Sequence, residues 1–599
     1  MTHHWIFRHA ANTAVSLAEI KLLATELQIS PFLAGLLRQR GLARAADIEQ
    51  YLSPSLRHLI PPMSWPELQA AAQFIAGHLE QPSAGDTFAI WGDYDVDGVT
   101  STALVLNFLR LRGITARHYL PRRMEDGYGL NIGGIETLAA CGVTLLLTVD
   151  CGIANVAAIG RAAELGITVI ISDHHLPGPE LPRAAHTVNP KLSPCPCPDL
   201  SHLAGVGVAF LLMAAVNRLL PGKPIDMRNL LDLVALGTLA DMVELTGQNR
   251  ILAKNGMLLL GEASRPGIVA LKKVVGYTAG AALNASQIVF DLVPRINAAG
   301  RMGDAEAALQ LLLTTDGNTA RALAGHLDIL NYERRTNEKH ILSEALFQTK
   351  NQNYRLGLVL FSPEWHPGVI GIVASRVVEA TNRPVLILCE DLGSDVVNSR
   401  STRYHGDVVL KGSGRSIPEF DLHAGLAACA SLLMRFGGHR QAAGFNLAKA
   451  NLEPLREAFH AAVAEQIGPK PLAPQLKIDA ELPFSCIDFT LLKELELLEP
   501  FGIGNPTPLF VSPQVILKRL HAFGKDNNHA SLILYDPDAN VTLRGKAWRQ
   551  AGLLSPTLTG NPIRVAFSPQ IDRYNGLATI NLHVKDIKLD TLLLDRSGA

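Results

Sequence analysis

After its first eighty residues the chain alternates short apolar runs with stretches of helical period. The apolar run 87–91 precedes a helical pattern over 100–112, and the runs 143–149 and 167–171 flank a second helical pattern over 154–165. Short buried strands that alternate with helices are typical of a parallel sheet with crossover helices. Functional side chains in such sheets lie beyond the carboxyl ends of the strands. The pattern therefore predicts an α/β domain with a site at that edge.

Other parts of the chain have different patterns. Leucines recur with helical period after Gly303 and break near Asp316-Gly317, while the last 125 or so residues read as short strands separated by turns such as Tyr574-Asn575-Gly576. We expect an α/β protein with two α/β lobes, joined by a long helical connector and accompanied by a helical cap and a β barrel. The expected domains are an N-terminal cap (1–80), a catalytic lobe (81–302), the connector (303–350), a second lobe (351–468) and the barrel (475–599).

Composition excludes several classes of protein. A chain of 599 residues, 48% of them hydrophobic, is too long for one core and suggests roughly three or four domains. The net charge of −1 gives no general attraction to polyanions, so nucleic acid would have to bind local patches. Seven cysteines do not suggest a disulfide framework. Cys195-Pro196-Cys197 has no second ligand pair nearby, which favours a surface loop over a zinc site.

The apolar segments predict a soluble, cytoplasmic protein. The first apolar stretch is interrupted by Glu19, Lys21 and Glu26, unlike the core of a signal peptide. The most apolar window, residues 203–216, is too short to span a bilayer. We therefore expect no membrane association.

The candidate chemistry begins in the heptapeptide Gly-Asp-Tyr-Asp-Val-Asp-Gly at 92–98. Its carboxylates, Asp93, Asp95 and Asp97, directly follow the first apolar run. Three carboxylates crowded at a strand end repel one another unless a cation neutralises them. Aspartate and glycine also occur in ordinary turns, so the loop alone does not establish a metal site.

Further acids and histidines follow the neighbouring predicted strands. Asp150 follows the run 143–149, Asp173-His174-His175 follows the run 167–171, and Asp241 ends an apolar helical run. Singly, each has an ordinary explanation as a helix cap or a core histidine. Together at one sheet edge they predict a carboxylate-rich site for Mn²⁺ or Mg²⁺, with enough acids for two ions. Two such ions are the usual arrangement for hydrolysis of a phosphate ester or anhydride.

The same motifs carry a family resemblance. The segments 92–98, Thr148–Gly152, Ser172–His175 and Leu236–Asp241 resemble those of the DHH phosphoesterase superfamily. Over nearly all of its length the chain is similar to the bacterial RecJ single-strand-specific exonucleases within it. Three further segments support this closer resemblance: Pro294–Arg301, Gly412–Ser416 and Gly437–His439.

The resemblance implies an Mn²⁺- or Mg²⁺-dependent enzyme that degrades single-stranded DNA from the 5′ to the 3′ end and releases nucleoside 5′-monophosphates. By motif, Asp93 would stand beside the metal ligands, His175 would face the scissile phosphate, and Asp173 would orient a histidine. The ligands implied by the motifs are Asp95, Asp97, Asp150, His174 and Asp241.

One position departs from the family pattern. Many DHH proteins have a histidine ligand four residues before the first aspartate of their Asp-x-Asp pair, and taking Asp95 and Asp97 as that pair places Trp91 there. We expect Asp93 to compensate as a ligand. The second metal site is the one that this substitution affects.

A second group of residues suits the end of a strand. Gly412-Ser413-Gly414-Arg415-Ser416 is expected to be a glycine-flanked loop whose amides and guanidinium bind a terminal phosphate. The resemblance implies that Arg301 joins Ser413 and Arg415 in binding the 5′-phosphate.

Three more residues have two interpretations each. His439 is expected to line the same cleft and stabilise developing charge, or else to be a helix-terminal histidine. Arg123 and Tyr128 are expected to bind phosphate and stack on a base, although Tyr128 also fits a buried structural role.

The C-terminal strands are similar to an oligonucleotide-binding (OB) barrel. Basic and aromatic residues there could follow a single strand, or the charges could form only a solvated rim: Lys518, Arg519, Lys525, Arg544, Lys546, Phe523, Tyr535 and Trp548. The resemblance implies a monomer that acts with a helicase and a single-stranded-DNA-binding protein in recombination and repair.

Two other functions remain open at the level of sequence. A related enzyme could hydrolyse cyclic dinucleotides, very short oligonucleotides or pyrophosphate, for which the two lobes would suffice. A non-catalytic DNA-binding relative would have lost metal ligands, whereas here the acids and histidines of the motifs are present. The additional barrel and cap favour a polymeric substrate.

Overall fold

A computed structural model describes residues 3–8, 16–80, 87–192, 197–262, 264–391, 408–572 and 577–589. Cys195-Pro196 and the turn 574–576 lie outside the described residues. Contacts divide the chain into two compact units, one made of residues 1–58 with 473–599 and the other of residues 59–472.

The N-terminal region is mostly helical, as expected, but it also contains a strand. Its elements are β1 (His4–Phe7), α1 (Leu17–Leu27), α2 (Pro31–Gln39), α3 (Ala45–Leu52) and α4 (Pro66–Glu80). Ser16 and Ser30 cap α1 and α2 by accepting hydrogen bonds from backbone amides in the first turn. Over the described ranges no helix alone has the length and hydrophobicity to cross a bilayer; the bent pair α1 and α2 passes that test only when combined, by length and composition.

The first lobe is the parallel α/β domain that the alternating pattern predicts. Its strands are β2 (Phe88–Trp91), β3 (Arg117–Tyr119), β4 (Leu145–Val149), β5 (Thr168–Ser172) and β6 (His186–Val188). All pair in parallel, in the order β3-β2-β4-β5-β6. Its helices are α5 (Val96–Leu111), α6 (Ile132–Ala140), α7 (Val156–Glu164), α8 (Gly205–Leu219), α9 (Leu231–Ala240), α10 (Gly247–Glu262), α11 (Pro266–Val274), α12 (Ala285–Gln287) and α13 (Val293–Met302).

Alternation along the strands sends neighbouring side chains to opposite faces of this sheet. Ala89 and Trp91 join a core formed with α6 and α7. Helices α5 and α8 also pack against the strands, α5 against β2 and α8 against β4 and β5. Since both faces are covered, the strands are apolar throughout, and polar side chains collect where the strands end.

The connector consists of α14 (Glu306–Leu313) and the long helix α15 (Gly317–Lys350). The break falls where the sequence predicts it, because the side chain of Asp316 accepts a hydrogen bond from the amide of Thr319 and starts α15. The second lobe contains β7 (Leu358–Phe361), α16 (Ile370–Thr381), β8 (Val385–Glu390), β9 (Val409–Arg415), α17 (Leu422–Ala428), β10 (Arg435–Gly438), β11 (Ala442–Ala448) and α18 (Leu452–Ile467).

The sheet of the second lobe has the order β10-β11-β9-β8-β7, and only β7 and β8 are parallel. Ser413 and Arg415 lie in β9, so the expectation that 412–416 forms a loop was wrong. The two glycines that suggested a loop instead fit close packing: a Cβ on Gly412 would lie 2.2 Å from the Phe445 ring, and one on Gly414 would lie 2.8 Å from Leu386.

The C-terminal region contains the barrel predicted from its short strands. The elements are β12 (Gln475–Ile478), β13 (Ala480–Glu481), α19 (Phe489–Glu496), β14 (Phe510–Val511), β15 (Val515–Phe523), β16 (His529–Asp536), β17 (Val541–Ala547), β18 (Pro562–Asp572) and β19 (Thr579–Leu589). Strands β15 to β19 pair in the cyclic order β15-β16-β17-β19-β18 and close because β18 pairs with both β15 and β19. In the same unit, β1 pairs in parallel with β12.

Candidate active site

The predicted acids and histidines meet at the carboxyl ends of β2, β4 and β5. Asp95 caps α5 after β2, Asp150 follows β4 directly, and Asp173 and His174 follow β5. Asp241 joins them from the end of α9. Parallel strands bring these positions together because their carboxyl ends share one edge of the sheet.

His174 lies at the centre of this cluster. Its Nε2 is 3.1 Å from Asp150 Oδ1, 3.6 Å from Asp241 Oδ2 and 3.8 Å from Asp97 Oδ2. Burial lowers the pKa of His174 to about 4, against the opposing effect of Asp241. A neutral imidazole among carboxylates is the form that binds a divalent metal.

Asp97 is held by the start of α8. Its Oδ2 accepts a hydrogen bond from the amide of Gly205 (2.7 Å), and its Oδ1 accepts one from Val206 (2.9 Å). Both amides are at a helix N-terminus, where a carboxylate is stabilised by the unpaired N–H groups and the helix dipole. A Cβ on Gly205 would lie 2.6 Å from Asp150 Oδ1, so glycine is needed for this approach. The sequence motifs did not reveal these amides.

The carboxylates of the cluster destabilise one another when charged. Burial, and then the charges of neighbouring aspartates, raise the pKa values of Asp97 and Asp150 well above the usual range. The pKa values of Asp93 and Asp95 are raised for the same reasons. Buried oxygens of Asp93, Asp150 and Asp241 have no hydrogen-bond partner among the described residues. The donor set is therefore oxygen-rich with unsatisfied acceptors, which fits Mn²⁺ or Mg²⁺.

The structure does not bring all the predicted ligands equally close. Within the described residues, two groups have ligand atoms that all lie within 4.8 Å of one another: Asp97, His174 and Asp241, and Asp150, His174 and His175. Asp93 and Asp95 are outside both groups. Asp95 Oδ1 accepts a hydrogen bond from the amide of Gly98 (3.1 Å), and its charge still raises the pKa values of Asp97 and Asp150.

His175 is fixed by Asp173 and lies beside Tyr128. Asp173 Oδ1 is 2.8 Å from His175 Nδ1 and also accepts a hydrogen bond from the amide of His174. Burial opposes protonation of His175, but the hydrogen bond and charge of Asp173, together with Asp241 and Asp95, outweigh it and raise the pKa to about 9. The hydroxyl of Tyr128 is 3.0 Å from His175 Nδ1 and donates to the carbonyl of Asp150 (3.2 Å). Tyr128 as a residue remains 45% exposed.

The backbone at Asp150 is unusual. Its φ of +61° is in the left-handed region, which residues other than glycine rarely adopt. The same residue lies directly after β4 and points an oxygen at His174. Strain of this kind persists where the surrounding structure requires it, and it clusters at functional sites.

Trp91, which replaces the histidine of many DHH proteins, is part of the core. It is fully buried, its ring stacks on Tyr119 at 4.1 Å, and a Cβ on Gly134 would lie 2.2 Å from it. Its Nε1 has no hydrogen-bond partner among the described residues. The side chain thus fills the space between the sheet and α6 and offers no ligand atom.

We expect Trp91→Ala to destabilise this lobe by about 3–5 kcal/mol, because it leaves a cavity in a close-packed core. Chemical denaturation followed by circular dichroism measures the loss as a lower midpoint. Trp548→Ala is the control, because that side chain is 45% exposed and should cost far less. Equal losses in the two variants would contradict the packing role of Trp91.

Four arginines from four separate segments form a second cluster. They are Arg123 after β3, Arg301 in α13, Arg334 in α15 and Arg415 at the end of β9. Burial and the charges of the other three lower the pKa of Arg301 to about 9, and burial and Arg123 lower that of Arg415 to about 10. The guanidinium of Arg123 lies 5.1 Å from the Tyr94 ring centroid. Buried like charges of this kind fit an anion.

The first turn of α16 borders the arginine cluster. A Cβ on Gly371 would lie 3.0 Å from Ser413 Oγ and 3.2 Å from Arg415 Nη2, so the helix approaches both. Arg301 donates to the carbonyl of Gly368 (3.3 Å), and burial and Arg123 lower the pKa of His366. Sequence reasoning missed segment 366–371, although His366-Pro367-Gly368 before a helical pattern signals a helix N-terminus, which favours anions.

His439 lies in the turn between β10 and β11, not at a helix end. Its amide donates to the carbonyl of Ala442 (2.8 Å). Burial lowers its pKa, and the charges of His175 and Lys191 contribute. The contribution of His175 shows that the two histidines interact electrostatically. That His439 lines the cleft stays a prediction.

The barrel carries part of its predicted basic and aromatic surface on β15 to β17. Lys518 lies 4.0 Å from the Tyr535 ring centroid, and the rings of Phe523 and Trp548 are 5.6 Å apart. Lys546 pairs with Asp572 at 2.7 Å. Partly exposed rings and a lysine on one surface suit single-stranded nucleic acid, although the paired Lys546 is partly neutralised.

The fold and the site define a DHH-type phosphoesterase. The model of the DHH family N-terminal domain matches residues 87–238, the DHHA1 domain matches 355–465, and the RecJ OB domain matches 478–586. The single-stranded-DNA-specific exonuclease RecJ of Escherichia coli is 34% identical over 580 residues, which is 94% of this chain and 96% of that protein. The chain belongs to the RecJ family.

Two solved structures of RecJ from Thermus thermophilus are similar along the chain. The complex with Mn²⁺ has a TM-score of 0.80 and 32% identity, and covers 98% of this chain and 79% of that one. The complex with Mg²⁺ has a TM-score of 0.74 and 31% identity, with 98% and 78% covered. This relative was thus solved with each of the two ions that the donor set here fits.

Proposed function

We propose that the protein is a single-stranded-DNA-specific exonuclease that works from the 5′ to the 3′ end and releases nucleoside 5′-monophosphates. The observation that carries the proposal is the pair of oppositely charged clusters in one unit, carboxylates around His174 and arginines around Ser413. The first suits phosphodiester hydrolysis, and the second suits the phosphate at a strand end. The RecJ relative of Escherichia coli, which aligns over 94% of this chain, supports it.

The proposed cofactor is Mn²⁺ or Mg²⁺, in two sites. Asp97, Asp150, His174 and Asp241 would hold the ions, and Asp95 and Asp93 would contribute from the side of β2. When bound, divalent ions supply Lewis-acid chemistry that polarises the phosphoryl group and makes water a better nucleophile. Since Trp91 is part of the core, the segment after β2 would offer the ions only its carboxylates.

The remaining residues orient the substrate. The contact of Asp173 with His175 Nδ1 holds the imidazole so that its other nitrogen can contact the scissile phosphate. His439 would stabilise developing charge from the opposite lobe. Tyr128 and Arg123 would contact the terminal nucleotide. Arg301, Ser413 and Arg415 would bind the 5′-phosphate at a set distance from the metals, which makes the enzyme cut one nucleotide from the end.

Several further features belong to the proposal. We place the enzyme in the cytoplasm as a monomer that acts in recombination and repair on strands opened by a helicase and covered by single-stranded-DNA-binding protein. We also propose that residues 1–80, 81–302, 303–350, 351–468 and 475–599 act as cap, catalytic domain, connector, DHH-associated domain and strand-binding barrel.

Digestion of single strands labelled at either end tests the activity. With Mn²⁺ or Mg²⁺ we expect mononucleotides from the 5′ end, no cutting of a blunt duplex, and loss of activity in chelator that either ion restores. The physical reason is that the clustered carboxylates need divalent charge before a phosphate anion can approach. Degradation from the 3′ end would refute the polarity.

The same assay distinguishes the proposed exonuclease from a related enzyme that acts on very short substrates. An enzyme for very short substrates would cut dinucleotides much faster than long strands. A preference for long strands supports the role of the barrel, since a strand that reaches additional cationic and aromatic surface binds more tightly.

A further inference from the structure

A cavity of about 340 Å³ lies on the sheet of the second lobe, next to the proposed 5′-phosphate pocket. The side chains that define it are Lys411, Arg435 and Asn446, and its floor includes Gly437 and Gly444. No acidic side chain among the described residues lines it. Neither the sequence motifs nor the proposed mechanism uses Lys411, Arg435 or Asn446.

Strand register places the cavity on the same face of the sheet as Ser413 and Arg415. Gly444 pairs with Ser413 on β9 and with Gly437 on β10. The next row, two residues along, consists of Lys411, Asn446 and Arg435. Paired residues, and residues two apart on one strand, share a face of the sheet. The row of Lys411, Asn446 and Arg435 therefore lies about 7 Å from the row of Ser413, Gly444 and Gly437.

The floor glycines are not required by close packing against the described residues. Within that part of the chain, a Cβ on Gly437 would meet nothing within 4 Å, and one on Gly444 would meet only the carbonyl of Gly412 at 4.0 Å. Neither has a left-handed backbone. Glycine weakens a strand, and in such a position it marks a place where a ligand approaches the backbone closely.

The cavity lies on the side of the phosphate pocket away from the carboxylate cluster. Arg415 is at the end of β9, and His439 follows β10. The charge of Arg123 in the first lobe lowers the pKa of Arg415, and that of His175 lowers the pKa of His439. Lys411 precedes Arg415 by four residues, and Arg435 precedes His439 by four, which is about 13 Å along a strand. The nucleotide to be cut has to lie between the phosphate pocket and the carboxylates. An occupant of the cavity therefore extends from the outer side of the terminal phosphate.

Hydrogen bonds hold two of the polar side chains of the cavity. Arg435 Nε donates to Asn446 Oδ1 (3.1 Å), and Asn446 Nδ2 donates to Asp391 Oδ2 (3.4 Å). Asn446 is buried and lies between Lys411 and Arg435 in the sheet, so its contact holds the exposed residue Arg435 on the far side of the cavity from Lys411. Two cations across a small gap suit phosphate groups better than an uncharged ring.

We propose that this cavity accepts the outer phosphates of a strand that ends in a 5′-triphosphate, with Lys411 and Arg435 as their ligands. The inference rests on the proposed function, because the innermost phosphate would occupy the pocket of Ser413 and Arg415. The enzyme would then degrade triphosphate-ended strands as well as monophosphate-ended ones.

The reaction on such a strand begins with the hydrolysis of its first phosphodiester bond, as on a monophosphate-ended strand. Water attacks the phosphorus between the first two nucleotides, and the bond from that phosphorus to the 3′ oxygen of the first nucleotide breaks. That oxygen takes a proton, so the first product is an intact nucleoside 5′-triphosphate, and the shortened strand carries a new 5′-monophosphate. Every later product is a nucleoside 5′-monophosphate.

The test compares two strands of one sequence, with a 5′-monophosphate or a 5′-triphosphate, in full-length enzyme with Mn²⁺. Chromatography of the first products should show a nucleoside 5′-triphosphate only from the second strand. Lys411→Gln and Arg435→Gln should each lower kcat/KM on the triphosphate strand about tenfold, as expected for a lost charge-assisted contact, and leave the monophosphate strand unchanged. Lys411→Arg should retain activity on both.

Lys449→Gln is the matched control, because this lysine pairs with Glu390 in the same lobe and does not line the cavity. Digestion of the monophosphate strand alone would overturn the inference and leave the proposed function standing. Release of pyrophosphate, or an equal loss on both strands in the Lys411 and Arg435 variants, would also overturn it. Failure to digest either strand would instead refute the proposed function, and the inference with it.

Discussion

Replacement of Asp150 by asparagine is expected to lower the exonuclease rate constant about 10³-fold or more. Asp150 Oδ1 is 3.1 Å from His174 Nε2 and lies among carboxylates that raise its pKa, so its charge is the one that a divalent ion would neutralise. Loss of a single preorganised electrostatic group in an active site typically costs 10²–10³ in kcat, and loss of a metal ligand removes more than one such interaction. Single-turnover digestion of labelled strands measures the effect.

The same variant should separate metal binding from folding. Without metal, Asp150→Asn should melt at a temperature equal to or above that of the wild type, because it removes a buried charge that its neighbours repel. Added Mn²⁺ should raise the melting temperature of the wild type and raise that of the variant much less, because ligand binding stabilises only the state that binds it. Asp226→Asn, an exposed carboxylate paired with Arg228, is the control. A variant that keeps both the wild-type rate and the full response to Mn²⁺ would contradict the assignment.

Arg415→Gln is expected to remove the enzyme's preference for a phosphorylated end. Arg415 is one of the clustered arginines, and it donates to Ser413 Oγ (3.2 Å) beside the first turn of α16. We expect kcat/KM on 5′-phosphorylated strands to fall about 10–100-fold, the usual cost of a lost hydrogen bond to a charged group. The rate on 5′-hydroxyl strands should change little, because these strands lack the terminal phosphate that Arg415 would contact.

The control for this variant is Arg440→Gln, an exposed arginine paired with Asp421 in the same lobe. Competition between 5′-phosphorylated and 5′-hydroxyl strands in one reaction measures the ratio directly. If Arg415→Gln lowered both rates equally, the arginine would serve general strand binding or folding and not recognition of the end. A retained preference for the phosphate would assign that preference to Arg301 and the helix terminus.

Much of the catalytic lobe could be predicted from local sequence. Asp150 and Asp173 each follow a short β-branched or leucine-rich run that is typical of a buried strand, and a parallel sheet brings such positions to one edge. The break before α15 was equally clear, because Asp316 has the chemistry of a helix cap. These features depend on neighbours in the chain, so the sequence pattern contains them.

Other features depend on residues far apart in the chain. The loop expected at 412–416 is a strand because Phe445 and Leu386 pack against its glycines from other strands. The amide of Gly205 holds Asp97 across 108 positions of sequence. Neither contact leaves a periodic signal, so pattern reasoning could not find it.

Trp91 shows, in a single residue, both what the sequence predicts and what only the tertiary structure reveals. Its position in the motif identified it as a departure from the DHH pattern, but only packing against Tyr119 and Gly134 shows that it belongs to the core. Whether Asp93 replaces the missing ligand stays a prediction. The groups of converging ligand atoms in the described residues do not include it.

The sequence by itself determined which chemistry this protein carries: aspartates and histidines after buried strands, a family of motifs, and a barrel at the C-terminus. Only the tertiary structure decided which of these groups meet. Strand order and helix ends place Asp97, Asp150 and Asp241 around His174, and they gather four arginines from four separate segments beside Ser413. The physical reason is that electrostatic and packing energies depend on distance in space, whereas a sequence pattern records only distance along the chain.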